Sequence, residues 1–91
     1  MILYILSCVN EEYATVDTQV FGRAEEAYQA MKERYDKELN AIKSQEENNI
    51  IDNYLDFSHG NIYWMDDSST IYVYEFNVSE VDYIPETEDV I

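Results

Sequence analysis

Histidine and cysteine, the side chains that most often act as general bases and nucleophiles, occur once each in this chain, at His59 and Cys8. No motif places either of them beside a second catalytic group. The two glycines form neither G-x-G-x-x-G nor G-x-x-x-x-G-K-[ST], so these phosphate-binding loops are absent from the sequence. Cys8 lies in an apolar run, where a cysteine is typically a buried hydrophobic side chain. The sequence therefore predicts that the chain is not an enzyme and uses no cofactor.

Carboxylates are the abundant ionisable groups, with 20 Asp and Glu residues against five Lys and Arg and a net charge of −15. They are densest in the segments DNYLDFS and MDDSST. Neither segment has the spacing of an EF-hand loop, and Asp66 and Asp67 are more simply explained as residues that cap a turn. Paired carboxylates also hydrolyse glycosides, but that reaction needs a cleft that so small a chain hardly encloses. We therefore predict neither a metal site nor a hydrolase site.

The charge is unevenly distributed along the chain. All five basic residues lie between Arg23 and Lys43, where five acids balance them. Residues 44–91 carry twelve acids and no base. Because a large net charge destabilises a folded domain through self-repulsion, this excess indicates either a need for solubility or a binding function. Solubility alone does not require that the bases be confined to one segment.

A basic protein surface, above all that of a nucleic-acid-binding protein, is the partner that this charge favours. Nucleic acids and anionic membranes repel such a chain, so we exclude both as direct partners. Tyrosine is common at binding hot spots, and Tyr63 alternates with Ile62 and Trp64, so that one of these two sets faces outward. The predicted partner-binding residues are Asp66, Asp67, Glu75, Glu80, Asp82 and Tyr63. Neutralising Asp66, Asp67 and Glu75 is expected to weaken binding and to leave stability at least unchanged, because self-repulsion falls.

Strand-like segments occupy both ends of the chain. Residues 1–9 and 13–21 are rich in β-branched and aromatic residues and are separated by a polar turn. The first of them is apolar on both faces and is therefore expected inside the sheet. Residues 61–65 and 70–78 have the same character, and residues 53–58 form a weaker candidate strand with Leu55 and Phe57 on one face. Polar clusters around His59 and Asp66 predict the turns between these strands.

A helix is predicted between about Arg23 and Asn48, because apolar residues recur there at intervals of three and four. Two acids in its first turn and Lys43 near its end suit the helix dipole. Gly22 is a candidate N-cap. We predict that nine residues of the helix and the strands are largely buried: Ile5, Leu6, Tyr28, Met31, Tyr35, Leu39, Ile42, Trp64 and Phe76.

These elements predict an α+β fold, in which one long helix packs on one face of an antiparallel sheet of four or five strands, in the order β-β-α-β-β-(β). The chain length corresponds to one domain, which we place at residues 1–84. The segment after Pro85, residues 85–91, is predicted to be an acidic C-terminal tail. With a single helix, the second face of the sheet is left for solvent or for a partner.

A cytoplasmic location is predicted from the N-terminal segment and from the cysteine content. The first residues, MILYILSCVNEEY, have no basic region and no cleavage site of a signal peptide. Their apolar run is far shorter than the roughly 20 residues of a membrane-spanning helix. A single cysteine forms no internal disulfide, which is typical of a protein in a reducing compartment.

In size, acidity and predicted architecture the chain resembles the phage-encoded inhibitors of bacterial defence, that is, the DNA-mimic anti-restriction and anti-CRISPR proteins. The resemblance includes no residue-level motif, so it transfers no site. It implies that carboxylates stand where phosphates would stand in the nucleic-acid groove of a target. The alternative is a generic protein-interaction or regulatory module of a bacterial or phage operon, without DNA mimicry. A mimic needs a continuous stripe of acids, whereas a generic module can scatter them.

Overall fold

A computed structural model describes residues 1–82 of the chain. The elements are β1 (Ile2–Asn10), β2 (Thr15–Phe21), α1 (Ala24–Lys43), β3 (Asn49–Leu55), β4 (His59–Met65) and β5 (Ile71–Asp82). The strands form one antiparallel sheet in the order β2-β1-β5-β4-β3, and α1 packs on one of its faces. The predicted α+β class is therefore confirmed. The predicted tail, and the last two residues of the predicted domain, lie outside the described residues.

β1, β5 and β4 form the interior of the sheet. β1 lies between β2 and β5, which agrees with its two apolar faces. β5 is the central strand and is longer than predicted, because it continues past Val78 to Asp82 in register with Ile2. The edges are β2, whose residues are nearly all exposed, and β3, which carries a bulge between Ile50 and Asp52.

α1 is shorter than predicted and is capped differently. Its N-cap is Arg23, not Gly22, and Arg23 makes no side-chain capping bond. The helix ends at Lys43 rather than near Asn48. The Asn48 side chain instead donates a hydrogen bond of 3.1 Å to the carbonyl of Ile42, and the Ser44 hydroxyl donates one of 2.7 Å to the carbonyl of Ala41. These bonds satisfy carbonyls that the last turn leaves free, and the chain then turns back into β3.

The third strand differs most from its prediction. It occupies residues 49–55 instead of 53–58, and Phe57 lies in the following turn. The Asp56 carboxylate accepts hydrogen bonds from the backbone N–H of Ser58 at 2.9 Å and of His59 at 2.8 Å, which reverses the chain direction there. His59 and Gly60, predicted as a turn, therefore begin β4.

The core lies between α1 and the sheet. Six of the nine predicted core residues are buried, and three, Ile5, Tyr28 and Leu39, are only partly buried; the buried ones are Leu6, Met31, Tyr35, Ile42, Trp64 and Phe76. Ile5 is partly exposed because it pairs with Val20 and Ser79 on the face away from α1. Tyr74 was not predicted as core, yet it is buried and stacks on Phe76 with ring centroids 4.6 Å apart.

Candidate partner-binding surfaces

The two faces of the sheet have different surroundings. Directly paired residues of antiparallel strands project to the same side, so the register assigns every strand residue outside the bulge to a face. Leu6, Trp64 and Phe76 lie under α1 and are buried. We call the other side, which α1 does not cover, the open face. Its central rows consist of Val9, Val16, Glu75, Asn61 and Tyr54, and of Val73, Tyr63 and Asp52.

The open face is more apolar than the net charge suggests. Val16, Val20 and Ile71 lie on it and are 64%, 60% and 59% exposed. Among the strand residues that the register places there in the described part of the chain, the only formally charged ones are Asp52 and Glu75. The open face thus combines exposed aliphatic and tyrosine side chains with two carboxylates.

The six predicted partner-binding residues do not lie together. Tyr63 and Glu75 are on the open face as diagonal neighbours, since Tyr63 pairs with Val73. Asp66 and Asp67 are in the turn between β4 and β5. The other two, Glu80 and Asp82, project from the far end of β5 on the side of α1. At about 3.3–3.4 Å per residue, the twelve residues of β5 separate these two pairs by roughly 35 Å.

The topology instead creates an acidic end that the sequence does not reveal. The β1–β2 turn, the α1–β3 connection and the β4–β5 turn all lie at the same end of the sheet. The backbone N–H of Glu11 donates a 3.0 Å hydrogen bond to the carbonyl of Val73, which joins the first of these turns to β5. We call this region the acidic end; its carboxylates are Glu11, Glu12, Glu46, Glu47, Asp66 and Asp67. Asp66 and Asp67 were identified from the sequence, but the other four required knowledge of the strand order.

Asp66 itself is engaged within its turn. Its Oδ1 accepts hydrogen bonds from the Ser68 N–H at 2.9 Å, the Ser68 hydroxyl at 2.7 Å and the Thr70 N–H at 3.1 Å, and its Oδ2 accepts one of 3.0 Å from the Tyr72 hydroxyl. The Ser68 hydroxyl above all, with these other donors, lowers the pKa of Asp66. Asp67 takes no part in these bonds. Asp66 therefore has a structural role, whatever its role in binding.

Cys8 and His59 do not form a catalytic pair. Cys8 is buried under α1, whereas His59 pairs with Asn77 on the open face. Burial raises the pKa of the Cys8 thiol, and the nearby Arg34 guanidinium only partly offsets that effect. Because the thiolate is the reactive form, the thiol is disfavoured as a nucleophile.

Arg34 is the basic residue that most strongly connects elements. Its guanidinium donates to Asp17 at 2.7 Å, to Glu38 at 3.0 Å and to the Tyr74 hydroxyl at 2.9 Å, which joins α1 to β2 and β5. The hydrogen bond to Asp17 is the main reason that the pKa of Arg34 is raised. The sequence showed that the bases are confined to residues 23–43; the structure shows that one of them, Arg34, ties α1 to the sheet.

Residues 1–82 contain no cluster of three or more His, Cys, Asp or Glu side chains placed to hold a metal ion. Within the same residues, no helix is long and apolar enough to cross a membrane. Comparisons with protein-family models, with curated proteins and with solved structures find no match to this chain. The site must therefore be interpreted from its own geometry.

Proposed function

We propose that this chain is an acidic protein-interaction module that binds a basic protein through the open face of its sheet, and that it has no catalytic activity. The observation that carries the proposal is the open face itself, which α1 leaves uncovered and which exposes Val16, Val20 and Ile71 around two carboxylates. A cytoplasmic location, favoured by the single cysteine, is part of the same proposal.

The composition of the open face supports a partner with both apolar and basic groups. Exposed aliphatic residues in one region of a small domain are typical of interaction surfaces. Glu75 and Asp52 would pair with Lys or Arg at that interface, and the remaining negative charge of the chain would speed association over a longer range. Tyr63 and Tyr54 supply aromatic area close to both carboxylates.

Inhibition of a nucleic-acid-binding protein by mimicry is a second candidate, and the acidic end favours it. Six carboxylates from three connections lie at that end. Among the described strand residues only Asp52 and Glu75 place carboxylates on the open face, so these residues form no continuous acidic stripe along it. The geometry therefore supports the interaction module better than the mimic.

Site-specific photo-crosslinking tests the proposed surface. We would place p-benzoylphenylalanine at Thr18 or Ser79, both exposed on the open face, and at Lys37 on the solvent side of α1 as the matched control. After irradiation in cells, we expect the two open-face positions to capture the same protein, with a basic surface, and the control position to capture none. Capture only from position 37, or capture of an acidic protein, would contradict the proposal.

A competition experiment separates the module from the mimic. The captured partner would be bound to the chain and challenged with duplex DNA or RNA. If the open face binds as a module, the Asp52→Asn/Glu75→Gln variant weakens binding and nucleic acid does not displace the chain. Displacement by nucleic acid, together with loss of binding on neutralising Glu11, Glu12, Glu46 and Glu47, would instead establish mimicry through the acidic end.

A further inference from the structure

A cavity of about 410 Å³ lies at the end of the domain opposite the acidic end. Its walls come from the start of α1, from β1 and β5 on the side of the helix, and from the β3–β4 turn. Its size is within the range of about 300–1,000 Å³ that is typical of small-ligand sites. We call it the aromatic pocket; its lining residues are Tyr4, Ala24, Glu25, Tyr28, Phe57, Ser58, Val78 and Glu80.

Three aromatic rings line this pocket. The rings of Tyr28 and Phe57 have centroids 5.0 Å apart and are inclined by 51°, and Tyr4 is in the same lining from β1. Phe57 is 78% exposed although its ring lies beside Tyr28. So exposed a phenylalanine ring at a cavity leaves a large apolar area that a ligand would cover.

The turn that carries Phe57 is firmly anchored. The Asp56 carboxylate accepts hydrogen bonds from the backbone of Ser58 and His59 and one of 2.6 Å from the Tyr54 hydroxyl. The carbonyl of Ser58 accepts a 2.8 Å bond from the N–H of Val78 in β5. Phe57 is thus held at the pocket by bonds on both sides of it, and its exposure is not the result of a loose turn.

Two carboxylates give the pocket a negative charge. Glu25 lies in the first turn of α1, and Glu80 pairs directly with Tyr4 across β1 and β5. The positive end of the α1 dipole corresponds to about half a charge, which is less than the two carboxylates together. Of the nearby cations, the N-terminal ammonium is 3.5 Å from Asp82, and Arg23 is not among the lining residues. A cationic ligand is therefore favoured.

We propose that the aromatic pocket binds the guanidinium group of an arginine side chain from a protein partner. A guanidinium is planar and weakly hydrated, so it stacks on aromatic rings more readily than an ammonium does, and its fork of donors matches a carboxylate. Phe57, Tyr28 and Tyr4 supply the rings, and Glu25 and Glu80 supply the carboxylates. The pocket is on the side of α1, so this proposal is independent of the open face.

A peptide titration tests the pocket without knowledge of the partner. The full chain would be titrated with acetyl-Gly-Arg-Gly-amide and with the same peptide in which citrulline replaces arginine, and the aromatic resonances of the protein would be followed by NMR. Citrulline is nearly isosteric but uncharged. We expect saturable shifts of the Phe57, Tyr28 and Tyr4 resonances with the arginine peptide only. Equal shifts with citrulline, or shifts spread over the whole acidic surface, would overturn the proposal.

Two variants and a control complete the test. Phe57→Ala and Glu80→Gln change exposed side chains, and each is expected to weaken arginine binding about two- to fivefold, the range for a single exposed cation–π contact or ion pair. Glu33→Gln removes one charge from the exposed side of α1 and is expected to leave the affinity unchanged. Wild-type affinity in either pocket variant would refute the assignment. So would choline shifting the same resonances at lower concentration, because that result would indicate a quaternary ammonium site.

Discussion

At the residue scale, Asp66 combines a structural role with its place in the acidic end. The sequence treats it as one more repulsive charge, so that neutralising it should preserve stability or increase it. In the structure its carboxylate accepts four hydrogen bonds that close the β4–β5 turn. An amide in its place keeps the size of the side chain but weakens these bonds, because hydrogen bonds to a charged acceptor are stronger. Neutralising Asp66 is therefore expected to lower stability, whereas neutralising Asp67 or Glu75 is not.

We expect Asp66→Asn to lower the free energy of unfolding at pH 7, whereas Asp67→Asn leaves it unchanged or raises it slightly. The pKa of Asp66 is lower in the folded chain than its ordinary value of 3.8, so the folded state favours the charged form. The stabilisation is complete above the unfolded pKa and is lost as the pH falls through the folded pKa. Urea unfolding at several pH values measures the effect. A gap between wild type and Asp66→Asn that stays constant below pH 3.8 would contradict it.

At the element scale, Gly60 determines how closely β4 approaches its neighbours. A Cβ atom at this position would lie 2.9 Å from Leu55 Cδ1, 3.2 Å from the carbonyl oxygen of Tyr54 and 3.4 Å from Tyr35 Cδ2. The backbone oxygen has little freedom to move, so Gly60→Ala is expected to destabilise the fold by about 1–3 kcal/mol, as overpacking does. Gly22→Ala is the matched control, since a Cβ atom added at Gly22 would have no other atom within 4 Å. Equal stability of the two variants in denaturant unfolding would contradict this packing.

The attachment of α1 to the sheet depends on its fully buried side chains. Met31 is completely buried, whereas Leu39 on the same helix is only partly buried. We expect Met31→Ala to cost about 2–5 kcal/mol and Leu39→Ala to cost less, because the transfer and cavity terms both scale with burial. Lys37→Ala on the exposed side should stay within about 0.5 kcal/mol of wild type. The unfolding midpoint in guanidinium measures all three, and a larger loss at Leu39 than at Met31 would show that the helix packs differently.

The same elements show how far the sequence can predict this fold. The 3.6-residue period of α1 and the alternation of β4 and β5 predicted the fold class, the helix and most of the core residues. Each pattern does so because apolar side chains recur on the face of the element that is buried. The ends of elements were not predictable in this way. Phe57 continues the alternation of Leu55, but the hydrogen bonds of the Asp56 side chain end β3 between them. Tyr63 was correctly seen to oppose Ile62 and Trp64, but the pattern alone did not say which set faces α1.

At the scale of the whole molecule, the strand order determines where the charge lies. Glu11 and Glu46 are 35 positions apart in sequence, yet their connections lie at the same end of the sheet. No local sequence pattern contains that information. The prediction from sequence therefore assigned Asp66 and Glu80 to one acidic surface, although they lie at opposite ends of the sheet. The structure divides four of the predicted acids between the two ends of the sheet and places the fifth, Glu75, on the open face. The predicted set therefore separates into three pairs: Asp66 with Asp67, Glu80 with Asp82, and Tyr63 with Glu75.

This arrangement predicts opposite effects of salt on the free chain and on its complex. Raising the ionic strength from 0.01 M to 1 M shortens the Debye length from about 30 Å to about 3 Å and screens the repulsion among the exposed acids. The described ion pairs that screening would weaken are few, and the most central is Arg34 with Asp17 and Glu38. We therefore expect the thermal unfolding midpoint of the free chain to rise with salt. The complex with a basic partner should weaken over the same range. In the complex the carboxylates attract the basic groups of the partner, and salt screens that attraction.

Charge removal at the acidic end tests the cause of this salt effect. Glu11→Gln/Glu46→Gln takes one charge from each of two connections that meet there, whereas Glu26→Gln/Glu33→Gln takes two from α1, where basic residues lie nearby. At 0.01 M salt the first variant should unfold a few degrees higher than the second, since Lys43 at the end of α1 offsets only part of the repulsion that it relieves. At 1 M salt the difference should vanish. Thermal unfolding followed by circular dichroism at both concentrations measures it. Equal midpoints at low salt would show that these carboxylates do not repel one another enough to define an acidic end.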